Sequence, residues 1–172
     1  MADGLRVARL IRLRRNKLES PLFLTAVGRL QPANAVAAIL ILEDGRYVMQ
    51  LRDSVPHIFF PDHWGCFGGA VDDGEEPQQT LRRELREELE FMLTEAREFT
   101  RFDFDFGFFG QKAVFRIYYE VLVSATAYSR FVLHEGAQFR AFSATEILSQ
   151  PYVTPYDAFA IWIHYKRELF QR

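Results

Sequence analysis

The chain has 172 residues, 49% hydrophobic and 26% charged, enough for one compact domain with a buried core. A formal net charge of -2 gives no electrostatic footing for nucleic acid or an anionic membrane surface. The single cysteine, Cys66, excludes an intramolecular disulfide framework and a cysteine-rich zinc site.

Residues 1–32 read as an N-terminal extension, with a domain over 33–172. The extension begins with a basic run, Arg6, Arg9, Arg12, Arg14, Arg15 and Lys17, read as a solvated flank, with contact to an anionic partner or to an acidic patch on a second subunit as the alternative. Part of it is compatible with a short amphipathic helix or an edge strand. Its start lacks the apolar run of a secretory signal, and nothing in the chain approaches about 18 consecutive apolar residues. A soluble cytoplasmic protein with no membrane partner is therefore expected.

Ala35–Leu42 is an apolar, branched run of the kind buried on both faces of a sheet. Asp44-Gly45 supplies a turn and Tyr47–Leu51 resumes as a second strand, which predicts a hairpin. Arg52–His63, with Pro56 and Pro61, reads as a loop. Trp64–Gly69 reads as a short strand entering a glycine turn, with Cys66 as a buried filler. Pro77–Leu89 is a helix: Pro77 suits its first turn, and Leu81, Leu85 and Leu89 form a buried stripe. Further strands are expected at Phe102–Phe106, Lys112–Val123 and Phe139–Phe142. Ser143 is placed to cap a short helix through Leu148. Thr154-Pro155 opens a last helix, with Ala158, Trp162, Tyr165 and Leu169 on its packed face. This order implies an α/β (α+β) protein, a mixed sheet with helices packed on it. His57, His63, His134 and His164 show no metal-ligand spacing and read as loop, surface or packing residues.

The chemistry concentrates in Gly69–Phe91. On a helix Glu84, Glu87 and Glu88 share one face, with neighbouring Cβ atoms roughly 5–6 Å apart. Two like charges about 4 Å apart repel by roughly 4 kcal/mol at a surface-like dielectric, and a bound cation relieves that repulsion. An all-oxygen donor set favours Mg²⁺ or Mn²⁺ over zinc. The plainer alternative is a solvated acidic face paired with Arg82, Arg83 and Arg86.

Gly69, Glu75, Arg83-Glu84-Leu85, Glu87-Glu88 and Phe91, at these spacings, resemble the Nudix box. One defined position departs from it, since Glu90 stands where that signature has glycine. The flanking elements look similar to the Nudix α/β/α sandwich. The resemblance implies a metal-dependent hydrolase acting on a phosphoanhydride in a nucleoside diphosphate linked to another moiety. Glu87 and Glu88 would be the principal metal ligands, joined by the Gly68 carbonyl. Glu84 would be a further ligand or the base, and Arg83 would pair with Glu75 to orient it. Glu135, in His134-Glu135-Gly136, would be an additional ligand or an alternative base. Mg²⁺ (or Mn²⁺) is the implied cofactor, a small nucleotide-type molecule the implied substrate, and a homodimer is compatible by analogy. Substrate-binding residues are not readable. A non-catalytic nucleotide-sensing module is the alternative, though the full carboxylate set weighs against it. At the Glu90 position a glycine would take a left-handed conformation without strain, so glutamate is expected to perturb the turn or extend the helix slightly.

Overall fold

The computed structural model describes residues 30–170. The basic run, and any helix or strand within residues 1–29, lie outside them. The described chain falls into two compact units. One comprises Gln31–Ser54 and Asp62 onward, and carries the described sheet and helices and every residue discussed below. Of the other, the described part is Leu30 and the loop Val55–Pro61, which contains turns and bends.

The strands are β1 (Ala35–Leu42), β2 (Tyr47–Leu51), β3 (Trp64–Gly65), β4 (Arg97–Phe104), β5 (Val114–Val123) and β6 (Gln138–Phe142). They form one mixed sheet in the order β3-β2-β1-β5-β4, with β6 also on β2. β1 runs parallel to β5 from Ala35↔Arg116 to Leu42↔Val123, and the other strand pairings are antiparallel. β1 is central because both its faces are apolar: Val36, Ala38 and Leu40 enter one core, Ala37 and Ile39 the other. The β1–β2 turn forms as expected, with Gly45 at φ 80° and Asp44 accepting the Arg46 N–H.

The helices are α1 (Pro77–Leu89), α2 (Ala125–Tyr128), α3 (Ala144–Ser149) and α4 (Pro155–Tyr165). Helix α1 covers one face of the sheet through Leu81, Leu85 and Leu89, all fully buried. Each such leucine contributes about 1.5–3 kcal/mol relative to an exposed position. Helices α3 and α4 cover the other face through Ala144, Ile147, Ala160 and Ile161. Ser143 caps α3 as expected: its Oγ accepts the Glu146 N–H at 3.2 Å. The result is the α/β/α sandwich with a mixed sheet. Among the described residues no helix is long and apolar enough to cross a membrane.

The expected packed face of α4 is corrected. Trp162, Tyr165 and Leu169 are exposed and only Ala158 packs against the core; the buried residues are Asp157, Ala160, Ile161 and His164. Two polar side chains are tolerated inside because each is fully partnered. Asp157 accepts from Tyr118 Oη (2.7 Å), Thr154 Oγ1 (2.6 Å) and the Cys66 N–H (2.9 Å), and pairs with Arg116 at 3.3 Å. His164 sits between Tyr47 Oη at Nδ1 (2.8 Å) and Glu120 at Nε2 (2.9 Å). The tautomer that satisfies both accepts from Tyr47 and donates to Glu120. Cys66 is buried as expected, and burial raises its thiol well above the ordinary value.

Strand β4 starts earlier than the alternating phenylalanines indicate and ends at Phe104, because Phe106 already caps the 3₁₀ turn Gly107–Phe109. Strand β5 likewise begins at Val114 rather than Lys112. Along Phe102–Asp105 the phenylalanines are half-buried and the aspartates exposed.

Glu90 does not extend α1. It ends the helix in the left-handed conformation, φ 53° and ψ 26°, and its N–H bonds the Arg86 carbonyl. Its carboxylate reaches His134 Nε2 at 2.7 Å, an exposed pair of little expected worth. A side chain in that conformation costs about 1 kcal/mol or more. Glu90→Gly is therefore expected to raise the melting temperature by a few degrees. A lower melting temperature would mean that the His134 contact outweighs the backbone strain.

Candidate active site

The site is built where β1, the turn after β3 and helix α1 meet. Phe67 and Ala70 bridge to Ala38 and Ala35 of β1, which draws Gly68-Gly69 against the start of that strand. The Val36 N–H bonds the Gly69 carbonyl at 3.0 Å. Gly68 has φ 126°, and a Cβ there would collide with the Val36 carbonyl. A Cβ at Gly69 would overlap the Glu84 carboxylate, 2.5 Å from its Cδ. The two glycines thus serve different ends: one lets the backbone pass, the other leaves room for a carboxylate.

Helix α1 starts at Pro77, and Gln79 Oε1 accepts the Glu76 N–H at 3.2 Å. Just before it, Glu75 accepts from Thr80 Oγ1 (2.8 Å) and from Arg83 Nε and Nη2 (3.2 and 3.0 Å). The Arg83 and Thr80 hydrogen bonds hold the Glu75 carboxyl below its ordinary range. The same guanidinium bonds Glu84 at 2.7 Å, Glu87 at 3.3 Å and the Ala70 carbonyl at 3.3 Å. Arg83 therefore ties the helix to the glycine turn and bonds Glu84 beside it. The expected Arg83–Glu75 pair is present.

The three carboxylates of the helix differ sharply. Glu88 is 3% exposed, and its two oxygens accept one bond each, from Gln50 Nε2 (3.1 Å) and from the Gly68 N–H (2.9 Å). Burial pushes its pKa up to about 8 against the two hydrogen bonds, with Glu84 and Glu135 adding repulsion. Glu84, with a side chain 15% exposed, is also raised, first by burial and against Arg83, with Glu87 and Glu135 adding repulsion. Glu87 is 52% exposed and faces Arg83 and Arg86. Glu88 and Glu84 thus form the interior of the cluster and Glu87 its rim. Among the described residues no three acidic, imidazole or thiol groups are gathered in ligating geometry.

Glu135 belongs to this neighbourhood through its loop. The N–H groups of Val132 and His134 bond the carbonyls of Leu89 and Glu88 at 3.2 and 2.9 Å, fastening the loop to the end of α1. On the other side the Ala137 N–H bonds the Leu51 carbonyl at 2.8 Å. The negative charge of Glu135 is felt at both Glu84 and Glu88.

The donor chemistry fits a hard divalent cation. It consists of carboxylate oxygens, two of them on buried or largely buried groups whose charged forms burial disfavours. Both donors on Glu88 are uncharged, so they support its charge without neutralising it. Sequence spacing identified Glu84, Glu87 and Glu88 but not Gln50. The available signal was an amide inside the otherwise apolar strand Tyr47–Leu51.

A mixed α/β/α sandwich with an arginine-braced carboxylate helix behind a diglycine turn defines an acidic, oxygen-donor site. Residues 31–162 match the NUDIX domain, and the chain belongs to that family. It is 41% identical over 64 residues to the nucleoside triphosphatase NudI of Escherichia coli. That match covers 36% of this chain and 44% of NudI, so the chain spans under half the length of the curated relatives it matches. Among solved structures it resembles the MutT protein of Methanosarcina mazei (TM-score 0.65, 20% identity), covering 84% of this chain and 100% of that one. It also resembles the NUDIX domain of Shewanella oneidensis NrtR, solved with ADP ribose (TM-score 0.60, 18% identity), covering 86% and 93%. These two likenesses concern the fold.

Proposed function

We propose that the chain is a pyrophosphohydrolase that uses Mg²⁺ or Mn²⁺ to cleave a phosphoanhydride bond in a nucleoside diphosphate linked to another moiety. Water is the nucleophile and phosphorus the atom attacked. The observation that carries this reading is the buried Glu88 carboxylate, held among the described residues by two neutral donors beside Glu84 at the diglycine turn. Glu87 and Glu88 would hold the cation, with Glu84 and the Gly68 carbonyl as further donors. When bound, the cation supplies charge neutralisation at the phosphate oxygens and a more acidic water.

The chain's own residues do the rest. Glu84 or Glu135 accepts the proton of the attacking water; both are acidic groups at the cluster, and such a base is worth about 10²–10⁴ in rate. Arg83, anchored on Glu75, keeps Glu84 directed at Gly69. Gly69 leaves the approach clear of a side chain. The catalytic domain is assigned to residues 33–172, with residues 1–32 as an extension. The NudI relatives make nucleoside triphosphates the first substrates to try.

The test is a panel of nucleoside triphosphates, nucleotide sugars, dinucleotides and ADP-ribose, assayed for phosphate release with a coupling phosphatase. Mg²⁺, Mn²⁺ and chelator arms would run beside Glu87→Gln and Glu88→Gln. Metal-dependent turnover lost in both variants is expected. Ligand binding with no turnover across the panel would instead establish a sensor.

A further inference from the structure

We propose that Gln50, on β2, is a positioning residue that sets the orientation of Glu88 and thereby its affinity for a divalent cation; this rests on the metal-dependent reading above. Gln50 is buried, and its Nε2 donates to Glu88 Oε1 at 3.1 Å, opposite the Gly68 N–H on Oε2 at 2.9 Å. A carboxylate side chain turns about its last torsion with little resistance. Donors on both oxygens, arriving from β2 and from the diglycine turn, remove that freedom. Each oxygen keeps a lone pair, so a cation meets two acceptors already fixed in direction.

The chemistry of the donor matters as much as its place. An arginine or lysine here would neutralise Glu88 and compete with a cation for it. A carboxamide supplies a hydrogen bond with no net charge, so the full negative charge stays available. Arg83 does the opposite for Glu84 and Glu87, where it is itself a competing cation.

The position of Gln50 is in turn protected by a glycine. Gly136 has φ 87°, and a Cβ there would lie 2.7 Å from Gln50 Oε1 and 3.0 Å from the Leu51 carbonyl. Any side chain at that point would press on the amide that holds Glu88. Gly136 directly follows Glu135, so the loop bearing that acid also seats Gln50. This close approach of Gly136 to Gln50 lies outside the Gly69–Phe91 motif.

Gln50→Met keeps the length and apolar body of the side chain and removes the donor. Its Mn²⁺ affinity, read from the free-ion EPR signal in a titration of the full chain, is expected to fall about 10–100-fold. At saturating Mn²⁺ the KM for nucleotide should stay near wild type while kcat falls. Gly136→Ala should shift Mn²⁺ affinity in the same direction, and the double variant should lose less than the product of the two single losses. Unchanged Mn²⁺ affinity and kcat in folded Gln50→Met would overturn the role. If Gln50→Met loses its cooperative melt, Gln50→Leu takes its place: weakened Mn²⁺ binding with a retained melt supports the role, and unchanged binding overturns it. Wild-type protein that binds no Mn²⁺ would remove the metal-dependent reading and this role together. A wild type that binds Mn²⁺ normally, beside unaffected variants, removes this role alone.

Discussion

Glu88→Gln is expected to lower hydrolysis at least about 10²-fold while making the metal-free protein more stable above neutral pH. The two effects share one cause. Burial raises the Glu88 pKa to about 8, above the ordinary 4.5 of an unfolded glutamate, so between those values the folded chain binds more protons than the unfolded one. Stability of the metal-free protein therefore falls as pH rises through that window and levels off above it. From pH 6.5 to 8.5 the loss attributable to Glu88 is about 2 kcal/mol, at about 1.4 kcal/mol per pKa unit. Glu84, also raised, acts in the same sense. His164, lowered chiefly by its burial, acts in the opposite sense, destabilising as pH falls through its ordinary 6.5, the lower edge of the range from pH 6.5 to 8.5. Urea unfolding of chelator-treated protein at the two pH values should show this slope in wild type and a flatter one in Glu88→Gln. Equal slopes would mean that charging the buried Glu88 costs the fold nothing that a cation could offset.

The second large effect separates the two neighbouring glycines. Gly69→Ala is expected to fold and to lose roughly 10²-fold in activity, since displacing a reacting group by about 1 Å is enough for that. The atoms nearest its new Cβ all belong to the Glu84 carboxylate, which can move aside by leaving Arg83. Gly68→Ala is expected to fail differently. Its Cβ meets the backbone of Val36 and Ala37, and its φ of 126° is strained for any side chain, so stability falls first. Melting curves and rates for the pair check this. If Gly69→Ala retains full activity, Glu84 does not need its position over the turn.

Much of this arrangement is legible in the residues themselves, for physical reasons that also mark where legibility stops. The β1–β2 hairpin, the bounds of α1 and its leucine stripe depend on local turn chemistry and periodicity, and all three appear as expected. The spacing of Glu84, Glu87 and Glu88 places them on one helix face. It does not say which of them turns inward, because that is decided by Gln50 and Gly68 arriving from elsewhere in the chain. Helix α4 shows the same limit. Its aromatics at helical spacing suggest a packed face, yet Asp157 and His164 are buried in their stead. Their partners Arg116, Tyr118 and Glu120 lie on β5 and Tyr47 on β2, beyond the reach of any local pattern. The departure at Glu90 was readable as a strained position, but its pairing with His134 was not, since the loop that brings His134 there is fastened by backbone bonds.

The most direct test of the central claim is hydrolysis of a nucleoside triphosphate by the full chain in ¹⁸O-labelled water, with Mg²⁺ and with chelator. The account predicts one ¹⁸O in a phosphorus-containing product and no turnover once the cation is removed. Turnover that survives the chelator, or products whose label lies on carbon, would contradict it.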